Sequence, residues 1–550
     1  MTADAEGAAG VPGAAGPTGA RDGRYGAWGR RVLSVLLGTG VLLAGWALAG
    51  SDRPAGRAGG VAGAAGRGVD AGGGGRAVRG RRGGGLRAAG RRGAAPPRGT
   101  GGRAGAGGPA RLARLAPEVA VNLPVGPLTT FVLLVLGYGL TYFLVLQFSG
   151  RLRVRAEQRQ GSRPAPEDGE LVFWFLVPCL DEEAVIGATV ANLLAQDARA
   201  RVTVVDDGSA DATAERARAA GGDRVEVLSR RLPQARQGKG AALNAALPHL
   251  VAAAERLGVP EERVVVAVMD ADGRLSPGAL AHVAPLFADP AVGGAQLAVR
   301  IRNRDRLLTR IQDAGFWGAA ATAQYGRDPF GTVSLGGNAQ FARLSALRSV
   351  PGAPWTDSLT EDLDLALSLA VRGWRLRTTS LAHVVQEGPE RLRALLRQRT
   401  RWAQGHMVCA GRLGEVWRSS RLGTAAALEL ALYLLQPWCL ALPWSVLAHL
   451  LAVLGVLATL AVGAHSGAAA AVATAVAVYL LAFAPHLYQA TLYHRRTRHY
   501  GWWRSVGLHH ASYLLTYVTY LATWRALWRI LRGRRDWAKT RRVARAARGQ

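Results

Sequence analysis

Three apolar runs of this chain end in acid: "VPCLDEE" (Val177–Glu183), "VVDDGSAD" (Val204–Asp211) and "VMDADG" (Val268–Gly273). A lone Asp after a strand is routinely a loop residue or a helix cap, and Asp211 suits the cap before "ATAERARAA". Three such ends in order, two of them with paired Asp, gather carboxylates that repel one another unless a cation lies among them. Asp270 and Asp272, with Ala271 between them, suit a hard divalent ion, Mg2+ or Mn2+, held jointly with phosphate oxygens.

Lys239, in "QGKGAALN", is one of only two lysines among 68 basic residues, the other being Lys539. A compact ammonium reaches a diphosphate between flanking glycines more easily than a wide planar guanidinium. The stretch is not a Walker A loop, because Gly240 follows the lysine and Pro233 stands where the first glycine belongs. "TVSLGGNAQF" holds a Gly-Gly-Asn turn at which backbone can approach a ligand. "SLTEDLDLALSLAVRGW" reads as a helix with Thr360 at its cap. Glu361, Asp362 and Asp364 fall in its first turn, where the helix dipole by itself accounts for them. "LLRQRTRWAQGHM" reads as a basic helix; a surface amphipathic helix explains Arg397, Arg399 and Arg401 better than it explains the grouping of Gln398, Arg401 and Trp402.

Such residues need a scaffold that brings strand ends together. From Leu171 to about Val299, "LVFWFLV", "RVTVVD", "RVEVLS", "RVVVAVMD" and "GAQLAVRI" read as strands. Between them "AVIGATVANLLAQ", "DATAERARAAGG" and "GKGAALNAALPHLVAAAERLG" read as helices. Apolar strands alternating with helices predict a mostly parallel sheet covered on both faces, with ligands at the carboxyl ends of the strands.

The net charge of +30 is concentrated beside apolar segments. Fourteen Arg face Asp52, Asp70 and Glu118 between Ser51 and Glu118, and "RGRRDWAKTRRVARAARG" closes the chain. Arginine in such places sets membrane orientation or meets anionic lipid, so membrane lipid rather than nucleic acid is the expected partner. The three cysteines are too few and too scattered for a disulfide framework or a zinc site. Residues 1–31 and the Gly/Ala/Arg-rich 51–118 are expected to be disordered; 32–50 is either a membrane helix or a cleaved, signal-like segment. A further span is expected over 127–148, and Arg151, Arg153 and Arg155 place its C-terminal end in the cytoplasm. A globular domain is expected over 165–422. Within 424–531, Leu430–Ala464 carries no charged residue for 35 positions, too long for one crossing of a core about 30 Å thick. With Ala468–Tyr493 and Ser505–Trp524 the expectation is three to four spans, four being favoured, and a basic cytoplasmic tail over 532–550.

Taken in order, "VPCLDEE", "VVDDGSAD", "GKGAALN", "MDADG", "TED" and "QRTRW" resemble the membrane-embedded family 2 glycosyltransferases, which include synthases of poly-N-acetylglucosamine, cellulose, chitin and hyaluronan. Each motif alone is weak; six in sequence, over about residues 125–540, are specific. The resemblance implies an α/β GT-A cytoplasmic domain (Rossmann-like, mostly parallel sheet) with N- and C-terminal transmembrane helices. It implies inverting, metal-dependent transfer from a nucleotide-sugar, a UDP-sugar, to a growing β-linked polysaccharide at the cell membrane. Export of the chain and an accessory export subunit go with that reading. Single-sugar transfer to a lipid carrier and a catalytically inactive nucleotide-binding scaffold are the alternatives. By the same resemblance Pro178, Glu182, Asp206, Asp207, Lys239 and Asp270 bind the donor, with Asp206 and Asp207 at the nucleoside and Lys239 near the diphosphate. Asp270 and Asp272 hold Mg2+ or Mn2+, and Asp362 is the general base. Glu361, Gln398, Arg401 and Trp402 shape the acceptor and leaving-group end. "WAKTRR" (Trp537–Arg542) resembles a cytoplasmic tail motif of these synthases. The usual "PAYNEE" is replaced here by Pro178-Cys179-Leu180-Asp181-Glu182-Glu183.

Overall fold

The computed structural model describes residues 126–160, 171–497 and 499–534. The expectations for 1–31, 32–50, 51–118 and the tail beyond Arg534, Lys539 included, lie outside these residues.

Four strands form where β-branched and aromatic residues run together: Val172–Cys179 (β1), Arg201–Asp206 (β2), Val225–Ser229 (β3) and Val264–Val268 (β4). Six more follow, Arg274–Leu275 (β5), Val292–Gln296 (β6), Ala298–Ile301 (β7), Gln340–Arg343 (β8), Arg375–Arg377 (β9) and His383–Gln386 (β10). Seven of the ten form one sheet in the order β3-β2-β1-β4-β8-β6-β9, and β5-β10-β7 form a small second one. The large sheet is mixed rather than purely parallel: β8 runs against both β4 and β6, and every other ladder in it is parallel. "GAQLAVRI", which reads as one strand, is divided at buried Leu297, and its halves enter different sheets.

The period-2 alternation of β1 divides the core. Phe173, Phe175 and Val177 pack with Ile186, Val190 and Leu193 of the helix Ile186–Leu194. Trp174 and Leu176 face the other way, against Leu243 and Leu250 of Lys239–Arg256 and Leu365 and Leu369 of Glu361–Ala370. Each such side chain fully buried contributes about 1.5–3 kcal/mol, so both layers of helices are pinned to the sheet. The register aligns the strand ends: Cys179 pairs Asp206, Asp206 pairs Ser229, and Leu176 pairs Val268. Because β8 is reversed and its Gln340 pairs Val268, the Gly336-Gly337-Asn338 turn leading into it arrives at the same edge.

The helix Pro127–Gln160 crosses the helix Ala321–Arg327 at two glycines. A Cβ on Gly326 would lie 2.3 Å from Leu146 O, and one on Gly150 would lie 2.7 Å from Thr322 O. Arg153, near its C-terminal end, bonds Asp328 at 2.6 Å, and Glu157 accepts from Thr379 Oγ1 and Ser380 N at 2.8 Å each. Among the described residues, two runs of helix are long and apolar enough to cross a membrane, Thr129–Gln160 and Thr424–Thr497. The second contains the helix Thr424–Leu435, a π-helical turn Gln436–Ala441 and a helix Leu442–Thr497 that breaks at Gly467 (φ 84°, ψ 176°). A Cβ on Gly463 would meet Ala471 at 3.1 Å and one on Gly455 would meet Val478 at 2.9 Å. Contacts that widen symmetrically about Gly467 make the two arms an antiparallel hairpin.

Candidate active site

The strand ends, the Gly-Gly-Asn turn and the start of Glu361–Ala370 surround one cavity of about 1100 Å³. Pro178, Glu182, Asp207, Lys239, Asp270, Asp272, Glu361, Asp362, Gln398, Arg401 and Trp402 all line it. Asp206 does not; it accepts from Ser209 N at 3.0 Å and shapes the turn that presents Asp207. Asp207 is ion-paired with Arg230, a residue the motifs did not single out, at the end of β3. Burial raises the Asp207 carboxyl, against the lowering influence of Arg236 and Arg230.

Lys239 sits at the centre of the floor. Its Nζ donates to Asp270 Oδ1 at 2.6 Å and to Gly337 O at 2.5 Å. The flanking glycines have separate reasons. Gly238 has φ 111°, closed to most side chains, and a Cβ on Gly240 would come within 2.5 Å of Thr356 O. Burial works against the charge of Lys239, but Asp270, Glu361 and Asp362 more than offset it and hold the ammonium above its ordinary range. A compact ammonium suits this short bridge between Asp270 and the Gly337 carbonyl better than a wide, forked guanidinium.

Gly337 also fixes the distance to the acid pair. A Cβ placed there would be 2.7 Å from Lys239 Nζ and 3.4 Å from Asp362 Oδ2. Burial, and then the neighbouring Asp362, push Glu361 up to about 7, with Lys239 acting to lower it. Burial raises Asp362 as well, against Lys239 and Arg401. The pair therefore keeps a proton to near-neutral pH. Thr360 stands at the helix start, as its sequence suggests, but its hydroxyl makes no cap bond and lies 3.7 Å from Cys409 Sγ instead.

The end of the cavity that holds Gln398, Arg401 and Trp402 is aromatic. Trp402 meets Phe316 edge to face at 6.1 Å between centroids, and the Arg399 guanidinium lies over both rings. His406 and Tyr433 close this end, their rings 4.5 Å apart. Tyr433 belongs to the apolar helix Thr424–Leu435, and Arg327 stacks on it at 3.7 Å while bound to buried Glu429. Phe316, His406 and Tyr433 escaped the sequence reading because none lies in a spaced motif. Gln296 was missed for the same reason, whereas Asn338 belongs to the Gly-Gly-Asn turn read from the sequence: Gln296 donates to Asn338 O at 2.7 Å and Asn338 Oδ1 accepts from Asp270 N at 3.2 Å, steadying the wall behind the acids.

For a divalent cation, Asp270 and Asp272 are the carboxylates at hand. Asp270 is engaged by Lys239, and Asp272 Oδ2 accepts from Glu387 N at 3.1 Å. Among the described residues no cluster of three or more His, Cys, Asp or Glu is placed to hold a metal. Two carboxylates fit an ion that takes its other ligands from phosphate and water, the usual habit of Mg2+.

Residues 171–405 match the family model described as "Glycosyltransferase like family 2". The chain is similar to the beta-monoglucosyldiacylglycerol synthase of Trichormus variabilis, 31% identical over 319 residues, covering 55% of this chain and 62% of the relative. It is also similar to the poly-beta-1,6-N-acetyl-D-glucosamine synthase of Staphylococcus aureus, 29% identical over 234 residues, covering 42% of this chain and 53% of that one. A mannosyltransferase from Pyrobaculum calidifontis, solved with GDP-Man and Mn2+, aligns over 70% of this chain and 98% of its own at 20% identity and a TM-score of 0.43. The chain thus spans 62% or less of the length of these curated relatives. Over residues 171–405, the part that holds the mixed sheet and the cavity, the chain is thus similar to glycosyltransferase family 2.

Proposed function

We propose that the protein transfers a sugar, with inversion, from a nucleoside diphosphate sugar to a hydroxyl of a membrane-held acceptor. The observation that carries this is the closeness of Asp362 Oδ2 and Lys239 Nζ, which flank the single glycine Gly337. A base for the incoming hydroxyl and a cation for the departing diphosphate lie one side chain's width apart. Asp207 and Glu182 meet the nucleoside side, and Trp402 with Gln398 positions the acceptor. The acceptor oxygen bonds the anomeric carbon while Asp362 takes its proton. The sugar–phosphate bond breaks, and its electron pair leaves with the nucleoside diphosphate, which Lys239 and Arg401 stabilise. Mg2+ or Mn2+ held by Asp270 and Asp272 supplies further charge neutralisation at that leaving group. One base without a covalent intermediate gives inversion.

The motif set favours a growing β-linked polysaccharide, with Trp402 and Phe316 as a platform for sugar rings. A second reading, transfer to a lipid, is favoured by the cavity's closure on Tyr433 of an apolar helix and by the relative named for glucosyldiacylglycerol synthesis. In both, the catalytic domain faces the cytoplasm beneath the membrane helices. Membrane vesicles holding the protein, given each labelled UDP-sugar in turn with Mg2+ or Mn2+, distinguish them. High-molecular-weight product supports the polymer, and a solvent-extractable product supports the lipid. Incorporation that continues in Asp362→Asn removes the proposed mechanism.

A further inference from the structure

Behind the helix Glu361–Ala370, on the side away from the cavity, lies a second depression of about 760 Å³. Arg372, Arg412, Arg418 and Arg421 line it, against two carboxylates, Asp364 and Glu415. Arg412 engages both, Asp364 Oδ1 at 3.0 Å and Glu415 Oε2 at 2.6 Å. The other three guanidiniums bond carbonyl oxygens: Arg372 those of Ser349 and Ser368, Arg418 that of Gly414, and Arg421 that of Arg372. Among the described residues none of these three forms an ion pair. Burial, followed by the Arg412 and Arg421 charges with a partial offset from Glu415, holds Arg372 below the usual guanidinium range. Four guanidiniums against two carboxylates, both taken up by Arg412, leave the hollow with an excess of positive charge, and guanidinium forks match the oxygens of a phosphate.

The position of the hollow says which phosphate. Arg418 and Arg421 immediately precede the apolar helix Thr424–Leu435, and Trp417 beside them is 62% exposed. An exposed Trp with arginines at the foot of an apolar helix is the composition of a membrane–water boundary. We propose that this hollow binds the phosphate headgroup of an anionic membrane lipid through Arg372, Arg418 and Arg421. The bound headgroup lies against the helix that carries Asp362. Asp364, gripped by Arg412, also accepts from Thr356 Oγ1 at 2.8 Å, and the Thr356 carbonyl packs on Gly240 beside Lys239. A lipid seated here neutralises repulsion one layer behind both catalytic helices.

The test needs no transfer assay and stands apart from the proposed function. The full chain, purified in detergent, is titrated with phosphatidylglycerol and with phosphatidylcholine, and bound lipid is counted by native mass spectrometry. Phosphatidylglycerol is retained preferentially. Each arginine near anionic lipid is worth about fivefold, so Arg418→Gln with Arg421→Gln weakens that preference about 25-fold. Arg256→Gln, on the helix Lys239–Arg256, leaves it unchanged. Equal retention of the two lipids by the wild-type chain overturns the proposal, as does a preference that survives both the double variant and Arg372→Gln. Displacement of phosphatidylglycerol by millimolar inorganic phosphate, with the same sensitivity to the double variant, overturns the lipid assignment in favour of a soluble anion.

Discussion

At the scale of residues, the acid pair governs both chemistry and pH. Asp362→Asn, which takes away the proposed acceptor of the hydroxyl proton, is expected to lower the transfer rate about 10^2–10^4-fold, with retention of UDP on the protein as the check that donor binding persists. Because Glu361 is pushed up to about 7 and Asp362 is raised with it, the rate climbs as pH rises through about 7 and falls on the acid side. Glu361→Gln takes away the neighbouring charge, and the acid limb of the rate–pH profile moves to lower pH; a limb that stays in place removes the coupling. Stability runs the other way. The folded chain holds a proton that the unfolded chain releases above about 4.5, so this pair favours the fold at low pH and loses that contribution as pH rises through about 7. Lys239→Arg is expected to impair transfer nearly as much as Lys239→Ala, since the obstacle is room and not charge. Most of this was legible in sequence: the lysine in an arginine background, the strand-end acids Glu182, Asp207, Asp270 and Asp272, and Gln398, Arg401 and Trp402 line the cavity, although Asp206 does not. What spacing did not reveal is how Lys239 and Asp270 meet. They form a direct ion pair, a relation set by the Gly337 carbonyl that only the fold brings there.

At the scale of elements, β1, β2 and β4 were readable because a buried strand writes a mostly apolar run, and the half-exposed β3 because Val225, Val227 and Leu228 stand in a short β-branched stretch. β8 was not, since "QFAR" is four residues long and its reversed direction has no local signature. Yet that reversal delivers Gly337 to the active edge. The division of "GAQLAVRI" was equally hidden, because Leu297 is as apolar as its neighbours and only its bond to Ala339 O, at 3.2 Å, marks the switch between sheets. Arginines after an apolar span read as orientation signals. Arg153 also clamps Asp328, whose carboxyl Arg377 and Arg153 hold at about 2 despite its burial. The crossing at Gly150 and Gly326 is the weak point of this joint. Gly326→Leu forces a side chain into the backbone at Leu146, which separates the helix Pro127–Gln160 from the domain. The expected outcome is a fall in thermal stability of several degrees, with limited proteolysis newly cutting near residue 160. A chain protected as before means that the helix is held elsewhere.

At the scale of the whole molecule, the question is how many times the chain crosses the membrane. The helix Trp502–Leu531 meets the catalytic domain at both ends. His509 lies beside Gly318, while Arg529 donates to Gln404 Oε1 at 2.8 Å and Gln404 donates to Arg534 O at 2.6 Å. A helix held to one domain near both ends is expected to lie along the bilayer surface rather than across it. Its exposed residues agree, because Leu514, Tyr517, Leu521, Trp524, Trp528 and Leu531 recur every three or four positions, as on a helix lying in the membrane surface. Ser505–Trp524 is expected from sequence to be a span, and its apolar content alone does not say which way the axis points. The hairpin about Gly467 is the better crossing, with arms 442–466 and 468–497 giving about 37 and 45 Å of helix against a core of about 30 Å. In a cysteine-free background, a single cysteine at Ser466 is therefore expected to react with an impermeant maleimide added outside intact cells. One at His499 reacts only after the membrane is opened. Outside labelling at both positions requires the second arm to remain on the far side, and outside labelling at neither places the hairpin within the membrane without crossing it. Protection of His499 alone leaves a single arrangement, in which the hairpin spans and Trp502–Leu531 stays beneath it, pressed on the helix that carries Trp402.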